Sequence, residues 1–274
     1  MAYKTYTVKQ SDAFEVRVGI DGYQTKFLVE SGRKFIKCQC EMNRVLRDDW
    51  RVEDIASRIC NHLGIYAVKQ TPCRINIVTN KNTIINRLGV VSDNFELDGY
   101  SFVSYTRLLN MHGLNVRDQN FIKMNSIEKL NYIIKVMSET TKIDKSLITK
   151  YILNMTIVDL LVLNQDRHFK NFGVFFNNRT QNFEVARLFD FGMGLFENDN
   201  QFDDMDTLKE CMRYSYIDPS GDDPFVLAKM LKNTRLGYNY IRQLNISGIK
   251  IDRKMFLNPV AYEYFVDMKK TLEV

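Results

Sequence analysis

At 274 residues the chain is long enough for one large domain or for two lobes that share a cleft. Hydrophobic residues make up 45% and charged residues 26%, the balance of a folded protein, which excludes a disordered or fibrous chain. The net charge of +5 comes from 38 basic and 33 acidic residues dispersed along the sequence, which argues against nucleic acid or a membrane surface as partner.

The N-terminus, MAYKTYTVKQ, has neither the apolar core nor the cleavage pattern of a secretory leader, so the cytoplasm is the expected location, with secretion as an effector left open. Five cysteines, at positions 38, 40, 60, 73 and 211, form no paired CxxC units and read as reduced, buried small hydrophobes. Cys38 and Cys40 share a strand face, but a zinc site needs four ligands and the three histidines lie far away in sequence.

Residues 14–38 read as three strands, FEVRVGI, TKFLVE and RKFIKC, separated by the tight-turn signals Asp21-Gly22 and Ser31-Gly32. Helical periodicity follows in VEDIASRICNHLGI, where Ile55, Ile59, Cys60 and Leu63 share one face. Asp48 or Asp49 serves as cap, and Gly64 as terminator. The segments CRINIVT, NTIINRL and SFVSYTRLL return to strand or mixed character and are expected to finish the same sheet.

From Ser126 the pattern turns helical, first in SIEKLNYIIKVMSE and then in DKSLITKYILNMTIVDLLVL, which is apolar nearly all round as a central buried helix is. Its apolar stretch, Tyr151 to Leu163, is broken by Asn154, Thr156 and Asp159 and is too short for a bilayer core of about 30 Å. Polar NQDRHFKN comes next, followed by the strand FGVFF, the turn NNRT, and a strand in NFEVARLF that ends in Asp-Phe-Gly. Asp223-Pro224 and Asn258-Pro259 each place proline at the first position of a C-terminal helix.

The chemistry concentrates in residues 164–192. Asp166 and Asn171 stand five apart, and Asp190-Phe191-Gly192 follows a short hairpin later, the order found in a kinase catalytic loop and its metal-binding partner. Phosphoryl transfer asks for these residue types, because a highly charged group must be held through magnesium by carboxylate and amide oxygens, which fits Asn171 and Asp190. A separate carboxylate must take the proton of the incoming hydroxyl, and Asp166 fits that role.

A lysine is also needed for the α and β phosphates of ATP, with an acid on a nearby helix to hold it. Lys37, late in the third strand, and Glu53, early in the following helix, are the candidates; Lys34 competes with Lys37, and strand alternation by itself leaves the choice open. The stretch GIDGYQTKF has Gly19 and Gly22 but no GxGxxG, so Gly22 can offer backbone N–H groups to phosphate from a hairpin tip or can simply form a turn. His168 beside the catalytic loop reads as a hydrogen-bonder that fixes the loop, with assistance to proton movement as its other role. Lys170 reads as a charge for the γ-phosphate or as a solvated loop lysine. The adenine-contacting hinge is sought between Val90 and Tyr105.

DRHFKNFGVFF followed by LFDFGMGL resembles the HipA-like family of serine/threonine protein kinases, with Asn164, Asp166, His168, Lys170 and Asn171 matching the family's loop in order. EDIASRICNHLGI is similar to that family's helix after the lysine strand, which supports Glu53. The resemblance is to the short, stand-alone CtkA-like type, since the chain begins almost at the first strand of the lobe. That argues against an antitoxin partner. It implies an α+β, bilobal protein-kinase-like fold, with residues 1–115 as a β-rich N-lobe and 116–274 as a helical C-lobe. It also implies ATP and Mg2+ as cofactors and a protein substrate, with the chain itself among the substrates. Two alternatives stay open: a phosphoinositide or other small-molecule kinase, since lipid kinases share DRHxxN and DFG, and a nucleotide-binding pseudokinase scaffold, against which the full set Lys37, Asp166, Asn171 and Asp190 argues.

Overall fold

A computed structural model describes residues 3–14, 25–39, 41–42, 45–94, 99–114, 119–195, 204–212 and 223–274. The first strands are β1 (Lys4–Lys9), β2 (Ala13–Phe14), β3 (Lys26–Val29) and β4 (Lys34–Cys38), followed by the short pair β5 (Glu41–Met42) and β6 (Val45–Leu46). β1 was not anticipated, although Tyr6 and Val8 alternate with exposed Thr5 and Thr7, the period of a half-buried strand.

Helix α1 spans Asp49–Leu63. Asp48 precedes it and spends its carboxylate on Trp50 Nε1 (2.8 Å) and Gln39 Nε2 (2.6 Å), which ties the helix start to the end of β4. Gly64 closes it in the left-handed conformation at φ 64°, where a Cβ would be strained. Ile55, Ile59 and Cys60 are buried on one face with Leu63 packed beside them, as the periodicity predicts.

β7 (Thr71–Val78) and β8 (Ile84–Asp93) then complete a six-stranded sheet in the order β1-β7-β8-β4-β3-β2, in which β1 runs parallel to β7 and the other pairs are antiparallel. Phe27, Ile36, Cys73, Ile75 and Val91 fill a core on one face of it. CRINIVT and NTIINRL thus join the sheet, but SFVSYTRLL does not. Its first half is β9 (Tyr100–Ser104), which pairs with β10 (Gly173–Asn177) and through it with β11 (Asn182–Val185), a second sheet of order β11-β10-β9. Its second half is α2 (Tyr105–Met111), because the Ser104 side chain accepts from Arg107 N–H and caps a helix there. Gly173 permits the close pairing: a Cβ there would lie 2.1 Å from the Val103 carbonyl oxygen.

The C-terminal half is helical: α3 (Gln119–Lys123), α4 (Ser126–Thr141), α5 (Lys145–Leu161), α6 (Met205–Met212), α7 (Pro224–Asn233), α8 (Arg235–Ile241) and α9 (Pro259–Leu272). Both Pro-led helices are capped as their sequences indicate, by Asp223 accepting from Phe225 and Val226 N–H and by Asn258 accepting from Val260 N–H. α5 is buried from Tyr151 to Leu161 at the centre of the larger core, which also receives Val52, Ile55, Ala56 and Ile59 of α1. Its three polar interruptions are all satisfied: Asn154 accepts from Tyr240 OH at 2.6 Å, Thr156 donates to the Ile152 carbonyl at 2.9 Å, and Asp159 meets Arg167. Among the described residues no helix is long and apolar enough to cross a membrane. The chain has an α+β architecture in which a curled sheet with one helix faces a helical half.

Candidate active site

The site lies where β4, α1 and the two segments after α5 converge. Lys34 and Lys37 are three apart on β4 and therefore leave opposite faces of the sheet. Lys34 turns to Asp93, its exposed register neighbour on β8. Lys37 enters the cleft, where its ammonium donates to Glu53 Oε1 at 2.5 Å and to Asp190 Oδ1 at 2.7 Å. Of the two lysines that alternation alone left open, Lys37 is the one that lies beside Glu53 and Asp190.

Burial by itself lowers the Lys37 ammonium, but Asp190 and Glu53 outweigh it and hold the group above its ordinary value. Asp190 shows the mirror image: burial raises its carboxyl, and Lys37, then Lys26 and Arg167, pull it well below the usual carboxylate range. Lys37 and Asp190 are therefore both charged, and these two residues and Glu53 are each anchored on a different element.

The loop between α5 and β10 is held from below by Arg167, a fully buried side chain. Its Nε and Nη2 make a fork to the two carboxylate oxygens of Asp159 at 2.9 and 3.0 Å. Its Nη1 donates to the main-chain oxygens of Asn171 at 2.9 Å and Phe189 at 2.7 Å, and its guanidinium stacks 4.7 Å from the Phe191 ring centre. One side chain thus fixes the end of α5, the end of the loop and both neighbours of Asp190. Burial pushes the Asp159 carboxyl up and Arg167 opposes it, while Asp159 outweighs burial to hold Arg167 charged. Asn164 adds a bond from Nδ2 to Asp159 at 2.8 Å and accepts from Asp166 N–H at 3.2 Å. Leu163 at φ 45° and Asp190 at φ 63° occupy the left-handed region, so both segments turn sharply at the cleft.

Above this base Asp166 is exposed, and its carbonyl accepts from His168 N–H at 2.8 Å and from Asn171 Nδ2 at 3.0 Å. The Asn171 amide is therefore oriented with Oδ1 left as acceptor, in a residue that is itself buried. His168 Nδ1 accepts from Lys170 N–H at 3.2 Å, and Lys170 is exposed. Asn171 and the two neighbours of Asp190 are all held by Arg167, so the candidate cation ligands share one support. They offer an amide oxygen and an ionised carboxylate, the hard donors that magnesium takes. Among the described residues no group of three or more His, Cys, Asp or Glu side chains converges, so a cation here would draw its other ligands from phosphate and water.

Gly22, and Gly19 with it, lie outside the described residues, as do residues 95–98 within the stretch considered for adenine. Three residues of the site were not singled out by sequence. Arg167 has no role assigned by its place beside His168, and Asp159 reads in sequence as an interruption of an apolar helix, although a carboxylate in such a helix is itself a signal of a buried partner. Lys26 on β3 is buried in the cleft directly opposite Lys37.

The HipA-like C-terminal domain family matches residues 18–215, which include β3, β4, α1, the loop and Asp190. The chain belongs to this family. Among solved structures, the HipA-like chain is similar to the Helicobacter pylori proinflammatory kinase CtkA, with a TM-score of 0.63 at 16% identity over 98% of this chain and 93% of that one. At that identity the likeness is one of fold. The Shewanella oneidensis HipA, solved with HipB and operator DNA, aligns at 12% identity and a TM-score of 0.44 over 94% of this chain and 64% of its own. No curated protein sequence matches.

Proposed function

We propose that this HipA-like chain is a kinase that transfers the γ-phosphoryl group of ATP, with magnesium, to serine or threonine hydroxyls of proteins, its own among them. The observation that carries the reading is the convergence of Lys37, Glu53 and Asp190 at 2.5 and 2.7 Å, because a strand lysine held by a helix glutamate beside an Asp-Phe-Gly aspartate is what competent kinases assemble. The CtkA kinase shares the fold, which supports it further.

In this mechanism Lys37 binds the α and β phosphates, and Glu53 keeps its ammonium in place. Asn171 and Asp190 would hold magnesium, which when bound neutralises charge on the phosphates. The substrate hydroxyl oxygen forms a bond to the γ-phosphorus while the bond from that phosphorus to the β–γ bridging oxygen breaks, and ADP leaves with the electron pair. Asp166, at the exposed lip of the loop, accepts the hydroxyl proton. Lys170 offers charge to the γ-phosphoryl oxygens, and His168 maintains the loop through its bond to Lys170 N–H.

Calorimetry of ATP binding with magnesium tests the site. Asp190→Asn is expected to weaken the nucleotide about tenfold or more, equivalent to about 1.4 kcal/mol. Equal affinity in wild type and variant would contradict the assignment of Asp190.

A further inference from the structure

Positive charge that is dispersed in sequence is gathered by the fold at one end of the six-stranded sheet. A groove of about 860 Å³ lies there, and none of its lining residues belongs to the site described above. Four adjacent strands line it, with Lys4 from β1, Pro72 from β7, Asp93 from β8 and Lys34 from β4, and Arg58 of α1 and Lys69 stand beside them. Gln70 N–H donates to Ser57 Oγ at 3.0 Å, which brings the neighbours Lys69 and Arg58 together. The groove thus presents four cations against one carboxylate. Asp93 registers the field: the hydrogen bond from Lys34 holds its carboxyl below its ordinary value, and Arg187 and Lys69 pull the same way.

The acids that accompany these cations leave them available. Lys4–Glu30 and Lys34–Asp93 are exposed pairs, which water screens and which contribute little. Arg58 gives Nε to Asp54 at 3.0 Å and keeps its two terminal nitrogens for another acceptor. Lys69 is exposed and has no hydrogen-bond or ion-pair partner among the described residues. Neighbouring strands are about 4.8 Å apart, so the lining from β1 to β4 extends about 14 Å. That is the span of about four extended residues. An inorganic ion would fill little of the groove, and Tyr6, Pro72 and Val91 add apolar surface that such an ion does not use. An extended peptide with a doubly charged group matches the length, the apolar surface and the charge together.

We infer that this groove binds a protein segment carrying a phosphorylated serine or threonine, with the phosphoryl group on Lys69 and Arg58 and the peptide laid across the end of the sheet. The inference rests on the kinase reading only for the origin of that group, since the proposed reaction yields phosphoserine and phosphothreonine. Binding itself needs no nucleotide. Arg58 stands on α1, so the occupant touches the helix that carries Glu53 to Lys37.

The test is fluorescence anisotropy, without nucleotide, of a labelled short alanine-based peptide carrying one phosphoserine. Its serine form is measured alongside, and inorganic phosphate and glucose 6-phosphate serve as competitors. Wild type is expected to bind the phosphoserine peptide at least about tenfold more tightly than the serine form, and Lys69→Glu to lose about tenfold or more of that affinity. Because Lys69 is exposed and unpaired among the described residues, the melting temperature of this variant is expected to stay unchanged. Lys229→Glu, a charge reversal on α7, is expected to bind as wild type does. Equal affinity for the two peptides, binding of neither, or undiminished binding by Lys69→Glu would overturn the inference. An equal loss in Lys229→Glu would reduce the binding to unspecific attraction and overturn it as well. Competition by either small phosphate at the peptide's own concentration would show a site for free anions in place of a protein segment. A wild type that binds the phosphopeptide but not ATP would remove the kinase reading and leave the groove's ligand as inferred.

Discussion

Lys37 and Lys34 differ by three positions on one strand, and their fates differ because successive side chains alternate between faces. Sequence alone fixes that they are on opposite faces but not which face is the cleft, since that depends on where α1 docks. The thiols follow their burial: Cys60 and Cys73 are both pushed up to about 12, which makes them inert packing residues as their spacing suggests. Arg167 was the harder residue to read. An arginine in a polar loop ordinarily faces water, and only the carboxylate inside α5 hinted at its burial. Replacing Arg167 with Met leaves Asp159 buried and uncompensated, and is expected to cost about 3–5 kcal/mol in urea unfolding. Replacing Asp159 by Asn in the same chain should recover part of that loss. A single substitution costing under about 1 kcal/mol would show that the fork does not hold the loop.

The elements legible in advance are those whose sequences carry their own termini. α1 has its glycine stop, and α7 and α9 their Asp-Pro and Asn-Pro starts. The transfer of β9 to a second sheet was not legible, because pairing partners distant in sequence leave no trace in local periodicity. Its physical basis is Gly173, where β10 approaches β9 too closely for a side chain. Gly173→Ala should therefore separate these strands and destabilise the fold by about 1–3 kcal/mol, measured by thermal or denaturant unfolding. A stability equal to wild type would mean that the β9–β10 pairing tolerates the added carbon.

For the whole molecule, the α+β organisation follows from a strand-rich first part and a helix-rich second part, and the observed elements and the fold likeness to CtkA agree with it. What composition could not supply is how the halves are tied together at the site. α1 packs into the larger core with α5, and the chain after it is bonded to the segment before Asp190: Val68 N–H donates to the Leu188 carbonyl at 2.8 Å and Leu188 N–H to the Tyr66 carbonyl at 3.1 Å. Glu53 and Asp190 are thereby held in register with each other, and Lys37 joins them from the sheet. The order Asp166, Asn171, Asp190 was readable because it is local in sequence. The closure of Lys37 on Asp190 spans 153 positions and needed the fold.

The central claim is phosphoryl transfer, and incubating purified protein with γ-labelled ATP and magnesium, alone and with a generic protein substrate, tests it most directly. Wild type is expected to place label on serine or threonine, and Asp166→Asn to place none while still binding ATP. Wild type that binds ATP yet labels no protein, or an Asp166→Asn variant that labels as well as wild type, would contradict the account.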